Sequence, residues 1–273
     1  MSGMQIRQFV VLWGILTLPL SAQFLMETHG YMGIVGHLHG FDKTNSENPG
    51  YRAEFLTQTD FFRFKSLYCG LLIGNRTIMI SPNVGSEFRL DRIKYVLSPV
   101  LRYEFSDWIL QTTFDHEAFH QISAVNEQGP IWLNAVQVSA GTKGSYYFYI
   151  RNEYQNISNR FLNKVDTYLT LGYFLRGKES MWIAKNHTYA ALVSSRVRYH
   201  IGAFHRWAYW ISVEYDLWQL QSHQYEDRIT LKYNMFRKGL GKFVGFYYTY
   251  VVRDNYSLDN EGQLGALGVQ IFF

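Results

Sequence analysis

Between Trp207 and Trp218 the chain alternates. Trp207, Tyr209, Ile211, Val213, Tyr215 and Leu217 fall on one side; Ala208, Trp210, Ser212, Glu214, Asp216 and Trp218 fall on the other. The pattern recurs in 227–235, where Ile229, Leu231, Tyr233 and Met235 oppose Arg228, Thr230, Lys232 and Asn234. In 191–201, Ala191, Val193, Val197, Tyr199 and Ile201 oppose Ser194, Arg196, Arg198 and His200. In 165–175, Val165, Leu169, Leu171, Tyr173 and Leu175 oppose Asp166, Thr170 and Gly172. A period of two over about ten residues marks a half-buried β-strand. Turn chemistry separates these runs, at 142–144, 237–242 and 254–262. The pattern predicts strands near 51–63, 66–80, 92–105, 108–122, 131–141, 145–157, 165–176, 188–201, 206–219, 225–235, 242–253 and 263–273, with a further one near 29–39. That is about 12 strands, within a range of 12–14, and no linker or composition break divides residues 23–273.

These strands exceed the five or six residues usual in soluble sheets. Their apolar faces carry Tyr, Trp and Phe near the strand ends, and their opposite faces carry charge. A transmembrane β-strand needs about 9–11 residues, apolar outward and polar inward, with aromatic girdles at both interfaces. The fold class is therefore all-β, an antiparallel transmembrane β-barrel. Composition agrees, with 18% aromatic and only 18% charged residues. A mean hydropathy of −0.17 argues against a helical membrane protein. The net charge of +4 is small and scattered, so no nucleic-acid partner is implied. Cys69, the single cysteine, excludes an intramolecular disulfide and reads as a packing residue. No cofactor box or phosphate loop is present.

Both ends of the sequence fit export. Phe9 to Leu20 forms an apolar core of 12 residues after Arg7, followed by Ser21-Ala22. This is too short to span a bilayer as a helix and fits a secretory signal peptide, residues 1–22. At the other end, Val269, Ile271 and Phe273 continue an apolar stripe through Gly265 and Leu267 to a terminal aromatic. This resembles the C-terminal signature of bacterial outer-membrane β-barrel proteins. The resemblance implies residence in the outer membrane, contact with its lipids and lipopolysaccharide, and insertion by the barrel-assembly machinery through Phe273, Ile271 and Val269. The oligomeric state stays open.

A barrel of about this size can fill its lumen with side chains. The expected inward charges are Lys94, Arg102, Glu104, Asp115, Glu117, Arg151, Glu153, Asp166, Arg196, Arg198, Glu214, Asp216, Arg228 and Lys232. Both signs are present in similar number, so a salt-bridged plug or a narrow, porin-like path is expected. One inconsistency remains. Counting turns back from Phe273 puts 237–242 at the periplasmic end but the tight turn at Ser106-Asp107 and the turn at 142–144 outside. The count therefore demands one strand more or fewer between 142 and 205.

Residues 116–120, His-Glu-Ala-Phe-His, spell the H-E-x-x-H of zinc metalloproteases. That motif works on a helix, where positions i and i+4 meet one metal. Here Trp108, Leu110, Thr112, Phe114, His116, Ala118 and His120 alternate with Gln111, Thr113, Asp115, Glu117 and Gln121. On a strand the two histidines stand about 13 Å apart, so no metal site is expected. Both would face lipid, where polar side chains are costly and commonly functional. The segment also resembles the outer-membrane phospholipase A and lipid A deacylase barrels, whose lipid-facing H-x-S carries the chemistry. In that resemblance His116 matches the catalytic histidine and Asn134, on the next strand, the residue that orients it. Ala118 stands at the serine position, without a nucleophile. Two functions stay open: a non-enzymatic structural, interaction or narrow-channel barrel, and a lipid hydrolase of the phospholipase or lipid A deacylase type whose active site either lies at other residues or is degenerate. The weak catalytic candidates are His116, His120 and Asn134.

Overall fold

The computed structural model describes residues 23–39, 48–81, 89–121, 131–143, 165–175, 189–204, 207–221, 223–237, 242–253 and 265–272. Twelve strands run β1 (Gln23–His39), β2 (Asn48–Phe64), β3 (Leu67–Ser81), β4 (Arg89–Phe105), β5 (Trp108–Gln121) and β6 (Ile131–Thr142), then β7 (Val165–Leu175), β8 (Tyr189–Phe204), β9 (Trp207–Leu220), β10 (Tyr225–Arg237), β11 (Lys242–Arg253) and β12 (Gly265–Phe272). Each pairs antiparallel with its sequence neighbours, and β1 pairs with β12, so the sheet closes into a barrel.

Alternation decides the two faces. On β7 exposed Val165, Leu169, Leu171, Tyr173 and Leu175 point outward, while Asp166, Thr170 and Phe174 are buried inward. Exposed Phe, Tyr, Trp, Leu, Ile and Val cover the outer face of every strand from β1 to β12. An apolar belt of this extent needs a hydrocarbon surround, because a soluble surface rarely exposes more than a few hundred Å² in one patch. Closure leaves no sheet edge and satisfies the backbone within the wall.

The turn inconsistency resolves at one connection. β6 pairs directly with β7, from Asn134 opposite Leu175 to Gly141 opposite Tyr168. The wall is complete without the expected strand at 145–157, a segment outside the described residues. Removing that strand corrects the placement of Ser106-Asp107. Its hairpin, the two-residue turn Lys65-Ser66 and Thr142 all lie at the end that carries Phe272. The expected placement of Ser106-Asp107 and the 142–144 turn at the opposite end is overturned by the even strand count. Lys65 and Ser106 take positive φ, 54° and 46°, which lets each chain reverse in two residues.

At the seam between the chain's two ends, Gly33 lies opposite both Glu54 and Gln270. A Cβ there would stand 2.9 Å from the Val269 carbonyl oxygen and 3.0 Å from Gln270 Cγ. The missing side chain lets Gln270 Nε2 donate to Glu54 Oε1 at 2.7 Å and Tyr247 Oη donate to the same oxygen at 2.9 Å. Glu54 on β2 thus grips β11 and β12 across β1. Phe273 falls outside the described residues; Val269 and Ile271 face outward, exposed.

Candidate functional site

On the outer wall β5 and β6 register His116 directly opposite Asn134. His116 Nδ1 lies 2.7 Å from Asn134 Oδ1. A carbonyl oxygen only accepts, so Nδ1 donates this bond and Nε2 points away from Asn134. Asn134 therefore sets the tautomer and orientation of the imidazole, as an orienting residue does in a catalytic triad. Ala118, two residues further along the same face, pairs with Tyr95 and with Trp132. Its methyl group offers no nucleophile. His120 is exposed and stands edge-on to Tyr95, ring centroids 5.7 Å apart. The pair thus sits beside Tyr95 and Trp132, aromatic side chains of the kind that mark a membrane interface. Because 108–121 is strand, the H-E-x-x-H spacing does not converge on one metal.

The lumen holds a second group of residues. Lys94 Nζ lies 2.6 Å from Glu117. Arg102 reaches across β3 to Asp60 at 2.7 Å and along its own strand to Glu104 at 3.0 Å, and Lys143 approaches Glu104 at 3.7 Å. Arg198 binds Asp166 at 3.0 Å. Glu214 lies between Lys232, at 2.9 Å, and Arg196, at 3.6 Å, while Arg228 meets Asp216 at 3.7 Å. Asp115 has hydroxyl and amide partners instead, accepting from Ser98 at 2.6 Å and Gln137 at 2.9 Å. Arg151 and Glu153 fall outside the described residues.

Five of the lumenal cations also lie over aromatic rings. Arg102 covers Tyr68, Arg228 covers Trp218, Arg198 covers Trp210, Arg196 covers Tyr168, and Lys94 covers Phe119, with 4.6–5.0 Å to the ring centre. A ring on one side and a carboxylate on another hold a long side chain in one rotamer. Part of the aromatic content therefore serves the lumen rather than the girdles.

Sequence reasoning missed Arg52, Glu54, Asp60 and Glu226, all buried on the inner side. The signal was present in β2, where Arg52, Glu54, Gln58 and Asp60 share one parity. The lumen is also less uniformly charged than expected. Phe119, Leu133, Ala135, Phe174, Tyr189 and Leu220 form a buried apolar cluster joined by Leu192 and Trp218. Phe119 sits on the same strand face as Asp115 and Glu117, and alternation alone does not distinguish an apolar inward position from a polar one.

No protein-family model matches the chain, and no curated protein resembles it in sequence. Solved structures do resemble it in fold. Outer membrane phospholipase A from Escherichia coli aligns with a TM-score of 0.53 at 9% identity, covering 94% of this chain and 93% of that one. LpxR from Salmonella typhimurium aligns with a TM-score of 0.51 at 6% identity, covering 90% and 99%. The Salmonella typhi outer membrane phospholipase dimer with bound calcium aligns with a TM-score of 0.53 at 7% identity, covering 94% and 93%. At these identities the likeness is one of fold. With the closed wall and the apolar belt, it defines the fold as a transmembrane β-barrel, the fold of these bacterial outer-membrane proteins.

Proposed function

We propose that this protein is an integral outer-membrane barrel with a non-enzymatic structural or interaction role, its lumen closed to all but narrow conduction. Export through residues 1–22 and assembly through the Phe273 signature belong to this reading. The observation that carries it is the buried network in which Arg102 joins Asp60 and Glu104 across three strands. Such a network fills the space a wide pore would need. Outer-membrane lipids are the partners this reading assigns to the exposed wall. Planar-bilayer recording tests it: we expect no steps or only small ones, and large ohmic steps would sink the closed-lumen reading.

A second reading rests on the His116–Asn134 hydrogen bond. An oriented imidazole on a lipid-facing wall is half of a lipid hydrolase site, so the chain would be a degenerate enzyme of that type. Refolded protein offered phospholipid and lipid A separates the two. Steady acyl release that His116→Ala abolishes would replace the non-enzymatic reading with this one.

A further inference from the structure

The lumen contains a cavity of about 370 Å³. That volume is at the small end of ligand sites, which span about 300–1,000 Å³. It is far more than one ordered water needs.

Its wall has two kinds of chemistry. On β5 to β8 the lining includes a contiguous group of short or neutral polar side chains, Gln111, Thr113, Gln137, Ser139, Thr170 and Ser194, beside Asp115, Glu117, Tyr168 and Arg196. These lie side by side, because Gln111 pairs with Ser139, Thr113 with Gln137, Ser139 with Thr170 and Thr170 with Ser194. Their mutual bonds leave both polarities on offer. Thr113 accepts from Gln111 and keeps its hydroxyl proton; Gln137 donates to Asp115 and keeps its carbonyl; Ser194 donates to Asp216 and keeps its lone pairs.

The charges beside this group are held in pairs. The cavity is lined by the carboxylates Glu54, Asp115, Glu117, Glu214 and Asp216 and by the cations Arg76, Lys94 and Arg196, while Arg52, Arg228 and Lys232, outside the lining, lie within 4.0 Å of Glu54, Asp216 and Glu214. Four of the five carboxylates lie within 4.0 Å of a cation, and Asp115 is held by Ser98 and Gln137. A charged ligand would have to break one of these pairs, which is costly where both partners are buried. A ligand whose hydroxyls both donate and accept meets the neutral wall without that cost.

We infer that the lumenal cavity is a binding site for a small, uncharged, polyhydroxylated solute of one or two sugar rings. This goes beyond the proposed wall role and rests on lumen geometry, not on conduction.

Isothermal titration of refolded protein in detergent tests it, with sucrose as the neutral probe, galacturonate as the anion and protonated glucosamine as the cation. Sucrose is expected to bind with Kd on the order of 1 mM and the charged sugars about tenfold more weakly. Ser139→Leu fills the cavity and is expected to abolish sucrose binding. Thr170→Val keeps the shape, loses one hydroxyl and weakens binding about tenfold. Val138→Ala, on the outer face of the same strand as Ser139, leaves it unchanged. Heat-modifiable gel migration certifies folding; if Ser139→Leu fails to fold, Thr170→Val carries the test. No sucrose binding, tighter binding of either charged sugar, or undiminished binding by Thr170→Val would overturn the inference. Because binding is read without a membrane, its failure is separate from any conductance result.

Discussion

Arg102 is held on three sides, by Asp60, by Glu104 and by the face of Tyr68. Arg102→Met would leave two carboxylates buried without their shared cation. Removing one partner of a buried pair costs about 3–5 kcal/mol. We expect a loss of that order in guanidinium unfolding from vesicles, and partial recovery in Arg102→Met combined with Asp60→Leu. Undiminished stability in the single variant would show that the network does not brace the wall. On the outer face the informative residue is Ala118. If the His116–Asn134 pair is a base that lacks its nucleophile, Ala118→Ser supplies one. Acyl release from dispersed phospholipid is then expected to rise about 10²-fold over the parent, the scale of a positioned general base. Adding His116→Ala should abolish the gain, and a flat response to Ala118→Ser would remove the hydrolase reading.

Register and parity belong to the strand. His116 and Asn134 were legible as neighbours because each falls on the outward parity of consecutive strands, and β5 and β6 pair in the register that brings them together. The distance between them was not legible, since one residue of slip would have turned the entire face inward. The segment 145–157 carries aromatic and β-branched residues and reads as a strand by composition, yet β6 and β7 pair without it. The apolar cluster of Phe119, Leu133 and Phe174 was hidden for a related reason. A period of two separates the faces and does not say which apolar residues look inward. Gly33 on β1 gives the element-scale test. Gly33→Ala pushes a methyl group against the Val269 carbonyl and the Gln270 side chain. A loss of about 1–3 kcal/mol is expected, as for overpacking elsewhere. It would appear as a lower temperature for the heat-modifiable gel shift, and an unchanged temperature would mean that the seam has room to spare.

For the whole molecule, the outer wall and the lumen are chemically independent, because every strand divides its residues between them. Substitutions on one face should leave the other intact. Deleting Phe273 tests a third property, delivery: surface display in cells should fall while refolding from urea into detergent persists. Unimpaired display would show that the terminal aromatic is not read. Glu54 has a consequence in time as well as in space. Its bonds to Tyr247 and Gln270 span 193 and 216 residues of sequence. Contacts so distant along a chain form late, since the intervening loop must be closed before they contribute. The hairpins can assemble in order along the chain, while the Glu54 clasp forms only when the first and last strands meet. A variant such as Glu54→Gln should therefore leave early sheet formation unaltered and slow the final, gel-detectable step, so that an open, unclasped sheet accumulates on the way to the barrel.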